Sequence, residues 1–487
     1  MDEITSHSLS ATLALRKAQF LDHANHIAAE RAYWIERNRA YYQDDYRFMQ
    51  FLVPKGLRVL DLGCGTGDLL ASLNPTLGIG VDLSPNMIAE AQKRHPDFMF
   101  VTGDIEDPAT IAKLRGPFDY IVLSDTIGML DDIEVALSRL HPLCSQDTRI
   151  IIAYYSHLWE PILKMAEWLG FKMPQPPVNF LANADFLNII ELADFEPIKI
   201  ERRQIIPRRL FGIGPLFNRF VAPMPGIRQL CLRNYFVIRS LRVPRVADHS
   251  VSVIIPCRNE RDNIEAAIMR MPRFGHSQEI IFAEGNSSDG TYEECLRVQG
   301  VYAETHDIKV IRQDGRGKGD AVRKALATAS GEVVIILDAD LTMPPESLPK
   351  FYNAIASGKG EMVNGTRLVY PMEKDAMQPL NLLGNRFFAR VFSYLVSQRF
   401  TDTLCGTKAM FRKHYEAVAR DRAYFGDFDP FGDFDLIFGA AKQNLKIIEV
   451  PIHYGARRYG DTNISRFRDG WLLLRMVAFA FRKLKAL

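Results

Sequence analysis

The sequence has little that would tie it to a secreted or a nucleic-acid-bound protein. Its six cysteines (Cys64, Cys144, Cys231, Cys257, Cys295 and Cys405) are scattered over 487 residues with no C-x-x-C pair. That spacing offers neither a zinc site nor a disulfide framework, and it fits reduced thiols. No stretch reaches the ~18 consecutive apolar residues of a membrane-spanning helix. The opening residues, MDEITSHSLSATLALRKAQF, begin acidic and lack a long apolar centre, so no secretory signal is expected there. A formal net charge of +2 is far from the basic excess of a dedicated nucleic-acid binder, and no nucleic-acid partner is expected. Internal repeats and low-complexity tracts are missing as well. A cytoplasmic chain is the resulting expectation, with peripheral contact to the cytoplasmic membrane face left open.

What is present is enough apolar material, 47% of residues, for more than one core. The length implies two or three domains. Residues 8–52 read as helical and carry Tyr33, Trp34, Tyr41, Tyr42, Tyr46, Phe48 and Phe51. From Leu57 onward, short apolar runs (RVLDLG, GIGVDLS, FMFVTGD, YIVLSD, RIIIAYYS) alternate with helical patterns, the rhythm of βαβ units and a parallel sheet. A basic stretch from Glu201 to Arg245 interrupts it, with ten arginines and one acid. The rhythm restarts with SVSVIIPCRNE, EIIFAEGNSSDG, IKVIRQDG and EVVIILDADL. The expected fold is therefore α/β with two doubly wound, Rossmann-like domains, residues 1–245 and 246–487.

Gly63, Gly65 and Gly67 follow the strand pattern Arg58–Leu62 as G-x-G-x-G, where glycine lets the chain turn sharply and approach a ligand closely. A dinucleotide fold uses the related G-x-G-x-x-G. Here Asp61 precedes the first glycine and further acids end later strands. Asp61 suits an ammonium group, Asp82 a pair of ribose hydroxyls, and Asp104 an adenine amino group. This set resembles the class I S-adenosylmethionine-dependent methyltransferases over roughly residues 30–200. By that resemblance DLGCGTG wraps the cofactor, VDLS holds the ribose and GDIED borders the adenine. Asp125 is grouped with these cofactor residues; with Tyr154, Tyr155 and His157 it also lies near the strand ends where methyl acceptors sit. A histidine there is more often packed than catalytic. The aromatic N-terminal helices are read first as core and second as a lid over the site.

In the second half, SVSVIIPCRNERDNI is a buried strand leading into a polar turn, and GRGKGDAVRKALATASG is a glycine-rich basic turn opening a helix, suited to phosphate oxygens. Asp338-Ala339-Asp340 then ends an apolar strand. Two carboxylates so placed suit a hard cation, Mg2+ or Mn2+, that bridges substrate phosphates and neutralises a departing nucleoside diphosphate. The ensemble resembles the family 2 glycosyltransferases of the GT-A fold, in the branch of the dolichyl-phosphate mannose synthases, over about Val251–Arg468. That resemblance puts Pro256, Arg258 and Glu260 at the nucleotide entrance, Glu284 at the end of the second strand, and Lys318 on the phosphates. It gives Asp338 to the ribose and Asp340 to the metal. DTLCGTKAMFR resembles the acceptor-side turn, and RRYGDTN resembles a segment whose cation, Arg457, faces the diphosphate, with Thr462 and Asn463 as departures. Asp433, in FGDFDL, stands where the family places the base for a hydroxyl acceptor; the competing reading is an acid that orders a loop. Glu284-Gly285 departs from the usual Asp-Asp pair. The signature Q-x-x-R-W of processive synthases is absent, which favours transfer of one sugar.

The expectation is a bifunctional enzyme using S-adenosylmethionine and a nucleotide-sugar donor, with a lipid-linked or glycan acceptor. The alternatives are a glycosyltransferase whose first domain binds cofactor without methylating, and a ligand sensor without turnover. Arg468, Arg475 and Arg482, seven apart in the tail, share one helix face. With the Glu201–Arg245 stretch they suggest contact with an anionic membrane surface.

Overall fold

Short apolar runs with β-branched residues become strands, and each run ends in the turn that its glycines or acids announced. In the computed structural model, which describes residues 2–245, 248–371, 379–425, 432–455, 459 and 466–487, fourteen strands form two sheets of seven. The chain divides into two units, Met1–Pro244 with Lys485–Leu487, and Arg245–Leu484.

The first unit contains β1 (Arg58–Leu62), β2 (Leu77–Asp82), β3 (Met99–Thr102), β4 (Phe118–Ser124), β5 (Cys144–Tyr155), β6 (Phe195–Arg203) and β7 (Arg233–Ser240). Their order in the sheet is β3-β2-β1-β4-β5-β7-β6. The first five run parallel, while β7 lies antiparallel to both β5 and β6. Strand order reverses between β1 and β4, which opens a crevice beyond their carboxyl ends where open α/β sheets bind ligands. The alternation of a strand sends Leu60 and Leu62 into one core with Ile79, Val81, Ile121 and Leu123. Val59 enters the opposite core, where Phe48, Met49 and Leu52 of the helix Arg39–Leu52 cover the sheet. Of the N-terminal aromatics, Phe48 is core and Tyr46 and Phe51 pack against it, whereas Tyr33 is exposed.

The Glu201–Arg245 stretch, expected as an interruption of the strand rhythm, continues the sheet: its start completes β6, and β7 lies wholly inside it. Arg233 and Arg239 are almost completely buried. Arg239 pairs with Glu196, and Arg233 lies between Asp45 and Asp125. A count of charges obscured the apolar run NYFVI between the two arginines. No helix among the described residues is long and apolar enough to cross a membrane.

The second unit contains β8 (Val251–Cys257), β9 (Gln278–Glu284), β10 (Asp307–Arg312), β11 (Val333–Ile336), β12 (Met362–Thr366), β13 (Lys408–Phe411) and β14 (Ile447–Pro451). They are ordered β10-β9-β8-β11-β13-β12-β14. The strands from β10 to β11 are parallel; β13 is antiparallel to its two neighbours. Strand order again reverses, here between β8 and β11. The tail helix, Arg466–Ala480, buries Leu473, Met476 and Ala480 and exposes Trp471, Leu474 and Arg475.

Because Arg233 is buried between two carboxylates, Arg233→Ala leaves Asp45 without its cation and should destabilise the first unit by about 3–5 kcal/mol. Arg242→Ala, which removes a half-exposed pair with Asp194, should cost at most about 1 kcal/mol. Urea unfolding of both variants measures the contrast.

Candidate functional site

In the first unit the turn after β1 is shaped by side chains that leave no room for a Cβ. Gly63 has φ +80°, and a Cβ there would stand 2.2 Å from Thr126 Oγ1; Gly67 has φ +75° and would meet Phe100 at 2.7 Å. The loop thus runs tight against the sheet. Asp82, at the end of β2, accepts the backbone N–H of Gly65 (2.8 Å) and that of Ser84 (2.9 Å), so its carboxylate ties the glycine loop to the start of the next helix. Burial pushes its pKa up, against the pull of those two N–H groups.

Asp61 is 1% exposed and its Oδ2 has no hydrogen-bond partner. Burial, with the nearby Asp82 charge, pushes its pKa up to about 7. A buried carboxylate oxygen without a donor is costly. Arg31 stands over the same turn: its Nε lies 3.6 Å from where a Cβ on Gly65 would be. It faces Tyr42, Tyr46, Asp125 and Asp82. Sequence reasoning missed Arg31, since a single arginine in a helical pattern carries no signal.

Asp104, expected at the adenine, has protein partners on both oxygens: one takes the Lys17 ammonium at 2.6 Å and the other takes the N–H of Glu106. These contacts join the helix Asp2–Ile27 to the loop after β3.

Asp125 follows β4 with φ +61°. It accepts from Arg233, which also donates to Asp45 and Ser124 at 3.1 Å. Burial raises the Asp125 pKa, and the Arg233 guanidinium opposes the rise. Asp125 lines a small, open depression with Tyr154, Tyr155, Gln175, Asn179 and the apolar Met129 and Phe180. The Tyr41 hydroxyl donates to Tyr155 at 3.0 Å, and the Tyr154 hydroxyl accepts from the Asn183 side-chain amide at 2.9 Å. His157 is exposed and does not line this depression.

The second unit gathers its charges beyond β8 and β11. Lys318, first residue of the helix Lys318–Thr328, donates to Asp338 at 2.5 Å. Burial would raise the Asp338 pKa, but the Lys318 ammonium outweighs it and holds the carboxyl below the usual range. Lys318 is itself raised, since Asp338, Asp433 and Asp340 together outweigh its burial. The Asp340 Oδ1 accepts the N–H of Thr342 (3.1 Å) and its hydroxyl (2.8 Å), which orients the half-buried carboxylate. Gly406 allows the Lys318–Asp338 pair to form, because a Cβ there would lie 2.0 Å from Asp338 Oδ2.

Asp433 opens the helix Asp433–Lys442 and pairs with Lys408 at 3.0 Å. Lys408 is 1% exposed and also donates to the Cys405 carbonyl. The turn that begins at Asp402 is held from within: Arg367 grips Asp402 through Nε (2.6 Å) and Nη2 (2.8 Å). Lys408 and Arg367 were not singled out from sequence, although Lys408 lies in the quoted segment DTLCGTK. Pro256, one residue before the end of β8, is half-buried, and Arg258 packs its Cβ near Gly285. Glu260 is buried and accepts from Asn263 at 2.7 Å. Glu284 accepts the N–H of Ser287 and faces Arg312 at 3.4 Å. Arg457, Thr462 and Asn463 lie outside the described residues.

The geometry of the two sheets is matched by comparison with known sequences. Residues 33–200 match the family described as a methyltransferase domain, and residues 252–418 match glycosyl transferase family 2. Glycosyltransferase AglJ of Haloferax volcanii is 30% identical over 226 residues, covering 46% of this chain and 69% of that protein. The chain belongs to the family 2 glycosyltransferases, with a methyltransferase domain ahead of the glycosyltransferase domain. A dolichol-phosphate mannosyltransferase of Pyrococcus furiosus is 28% identical over 226 residues, 44% of this chain and 59% of its own length. Among solved structures, a SAM-dependent methyltransferase of Thermotoga maritima, described as a possible histamine N-methyltransferase, is 21% identical. It covers 39% of this chain and 88% of its own, with a TM-score of 0.34.

The raised Asp61 pKa sets a pH dependence. The folded carboxyl holds its proton up to about 7, whereas its ordinary value is 3.8. Between those values the folded state binds the extra proton, so this residue's contribution to stability falls as pH rises across the interval and levels off above it. Asp61→Asn removes the titration. Melting curves should show wild type losing ground to the variant as pH rises from about 4 to about 7, and a constant difference beyond.

Proposed function

We propose that the chain is a bifunctional transferase. The first unit moves a methyl group from S-adenosylmethionine, and the second moves a single sugar from a nucleotide-sugar to a lipid-linked or envelope-glycan acceptor at the cytoplasmic membrane face. The observation that carries this reading is the pair of charged crevices, one beyond each strand-order reversal, whose unmet chemistry differs. The first leaves a buried oxygen of Asp61 waiting for a donor; the second groups Lys318, Asp338, Asp340 and Asp433.

In the first unit, Asp61 meets the amino group of the methyl donor, Arg31 its carboxylate and Asp82 its ribose. Asp104, already paired with Lys17, borders the adenine through the loop it holds. Asp125 faces the acceptor pocket. Its carboxylate, fixed by Arg233, receives the proton that a hydroxyl acceptor gives up as its oxygen bonds to the methyl carbon and the carbon–sulfur bond breaks. Tyr154, Tyr155, Gln175 and Asn179 offer the polar contacts that a hydroxyl-rich acceptor requires.

In the second unit, Asp340 holds a divalent cation. The oxygen-only donor set fits Mg2+ or Mn2+, and the bound cation would neutralise charge on the diphosphate. Lys318, at the amino end of its helix, adds a positive charge on the phosphate side. Asp338 takes the ribose; Pro256, Arg258, Glu260 and Glu284 shape the nucleotide side, and Arg457 completes the phosphate contacts. Asp433, aimed by Lys408, accepts the proton of a hydroxyl acceptor as the sugar carbon changes partner; a lipid phosphate would need no base. The likeness to a dolichol-phosphate mannosyltransferase favours a lipid-linked acceptor.

Two measurements test the halves separately. Asp82→Ala should weaken S-adenosylhomocysteine binding by about 1.5–3 kcal/mol, the range for hydrogen bonds to a charged group, by calorimetry; unchanged affinity in both Asp61→Ala and Asp82→Ala would refute the methyl-donor assignment. Metal-dependent release of nucleoside diphosphate, assayed across UDP-, GDP- and dTDP-sugars with membrane extract, should be abolished by Asp340→Asn while S-adenosylhomocysteine binding persists. Full sugar transfer in excess chelator would exclude the cation.

A further inference from the structure

One helix of the first unit is turned inside out. Ile213–Phe220 buries Gly214 and Asn218, and it exposes Ile213, Leu216 and Phe220. A helix on a water-facing surface ordinarily presents the opposite arrangement. Nor is this helix free to roll over. Asn218 accepts the N–H groups of Ile205 (2.9 Å) and Ile206 (3.0 Å) and donates to the Ile206 carbonyl (2.8 Å). Gly214 sits so close to the chain that a Cβ would stand 1.9 Å from the Arg208 carbonyl. The fold therefore fixes the apolar face outward.

The turn before this helix extends the surface. Leu210 and Phe211 both have positive φ, and Phe211 is wholly exposed at the tip. Beside them, Arg208 donates to the Phe171 carbonyl and lies over the Phe171 ring at 5.6 Å. Phe171 is half-exposed and Trp168 is 83% exposed. Charge separates the candidate occupants of such a surface. From Arg202 to Arg245 the chain has no acid, and Arg209 and Arg219 are exposed. The acids of the neighbouring helix, Glu160 and Glu167, are each paired with a lysine. Apolar side chains projecting from a cationic rim suit an interface of acyl chains beneath anionic headgroups.

We propose that the turn Leu210–Gly212, the helix Ile213–Phe220 and the adjoining Trp168–Phe171 edge insert into an anionic lipid surface. This places membrane contact on the methyltransferase unit rather than on the tail helix, and it rests on the membrane-facing reading given above. The segment from Phe171 to Phe180 leads directly from this surface to the pocket that carries Asp125, so a lipid-anchored acceptor bound at the membrane lies beside the methyl-transfer crevice.

Flotation of the full-length chain with vesicles tests the proposal, comparing phosphatidylcholine alone with phosphatidylcholine plus phosphatidylglycerol. Wild type should bind the anionic vesicles and release them as salt rises. Phe211→Ser with Leu216→Ser should weaken binding at least about tenfold, and Arg209→Gln about fivefold. Trp471→Ser, on the tail helix, should leave it unchanged. Both Phe211 and Leu216 are exposed, so melting curves should be unaltered; the single variant Phe211→Ser provides a milder check. If wild type binds and the double variant binds equally well, this surface is wrong while membrane association stands. If wild type ignores anionic vesicles, both fall. A change from dimer to monomer in the double variant, without loss of vesicle binding, would make the face a contact between copies and overturn the proposal.

Discussion

Burying a carboxylate or a guanidinium costs several kcal/mol unless an opposite charge meets it, and both units are arranged around meeting that demand. In the first, Arg233 has no exposed surface and pairs with Asp45 and Asp125. Asp45 comes from an N-terminal helix, Asp125 from the end of β4, and Arg233 from β7. One buried cation therefore holds the helical cover, the site-bearing strand and the late antiparallel strand in a single arrangement. In the second unit the same rule joins Lys318 to Asp338, Lys408 to Asp433 and Arg367 to Asp402. Each pair ties a residue of the candidate site to a distant segment.

Asp61 is the exception among the buried acids of the first crevice. It is as buried as its neighbours, yet its Oδ2 has no partner and its pKa is raised. The second crevice is set differently: Asp338 is already met by Lys318 and Asp433 by Lys408.

The outward apolar helix obeys the same economy of contacts. Asn218 is buried because it satisfies three backbone groups, and that leaves Ile213, Leu216 and Phe220 on the solvent side. Polar satisfaction inside determined apolar exposure outside. Charge counting along the sequence treated all the arginines of this stretch alike, whereas Arg203, Arg233 and Arg239 are interior.

The sequence by itself determined the two α/β units, the glycine turn with Asp61 and Asp82, and the Asp338–Asp340 strand end. These depend on local spacing: alternation within a strand, glycines where φ is positive, acids at strand termini. Tertiary structure alone decided the partners. Lys17 meets Asp104 across 87 positions, Arg233 meets Asp45 across 188, and Lys408 meets Asp433 across 25. Nothing in the intervening residues specifies these pairings, because they are set by which strand ends and helices the folded sheets bring together. The same holds for β7, whose flanking arginines read as surface charge until their acids were in place. Local pattern selects the elements, and burial then selects which charges must find one another.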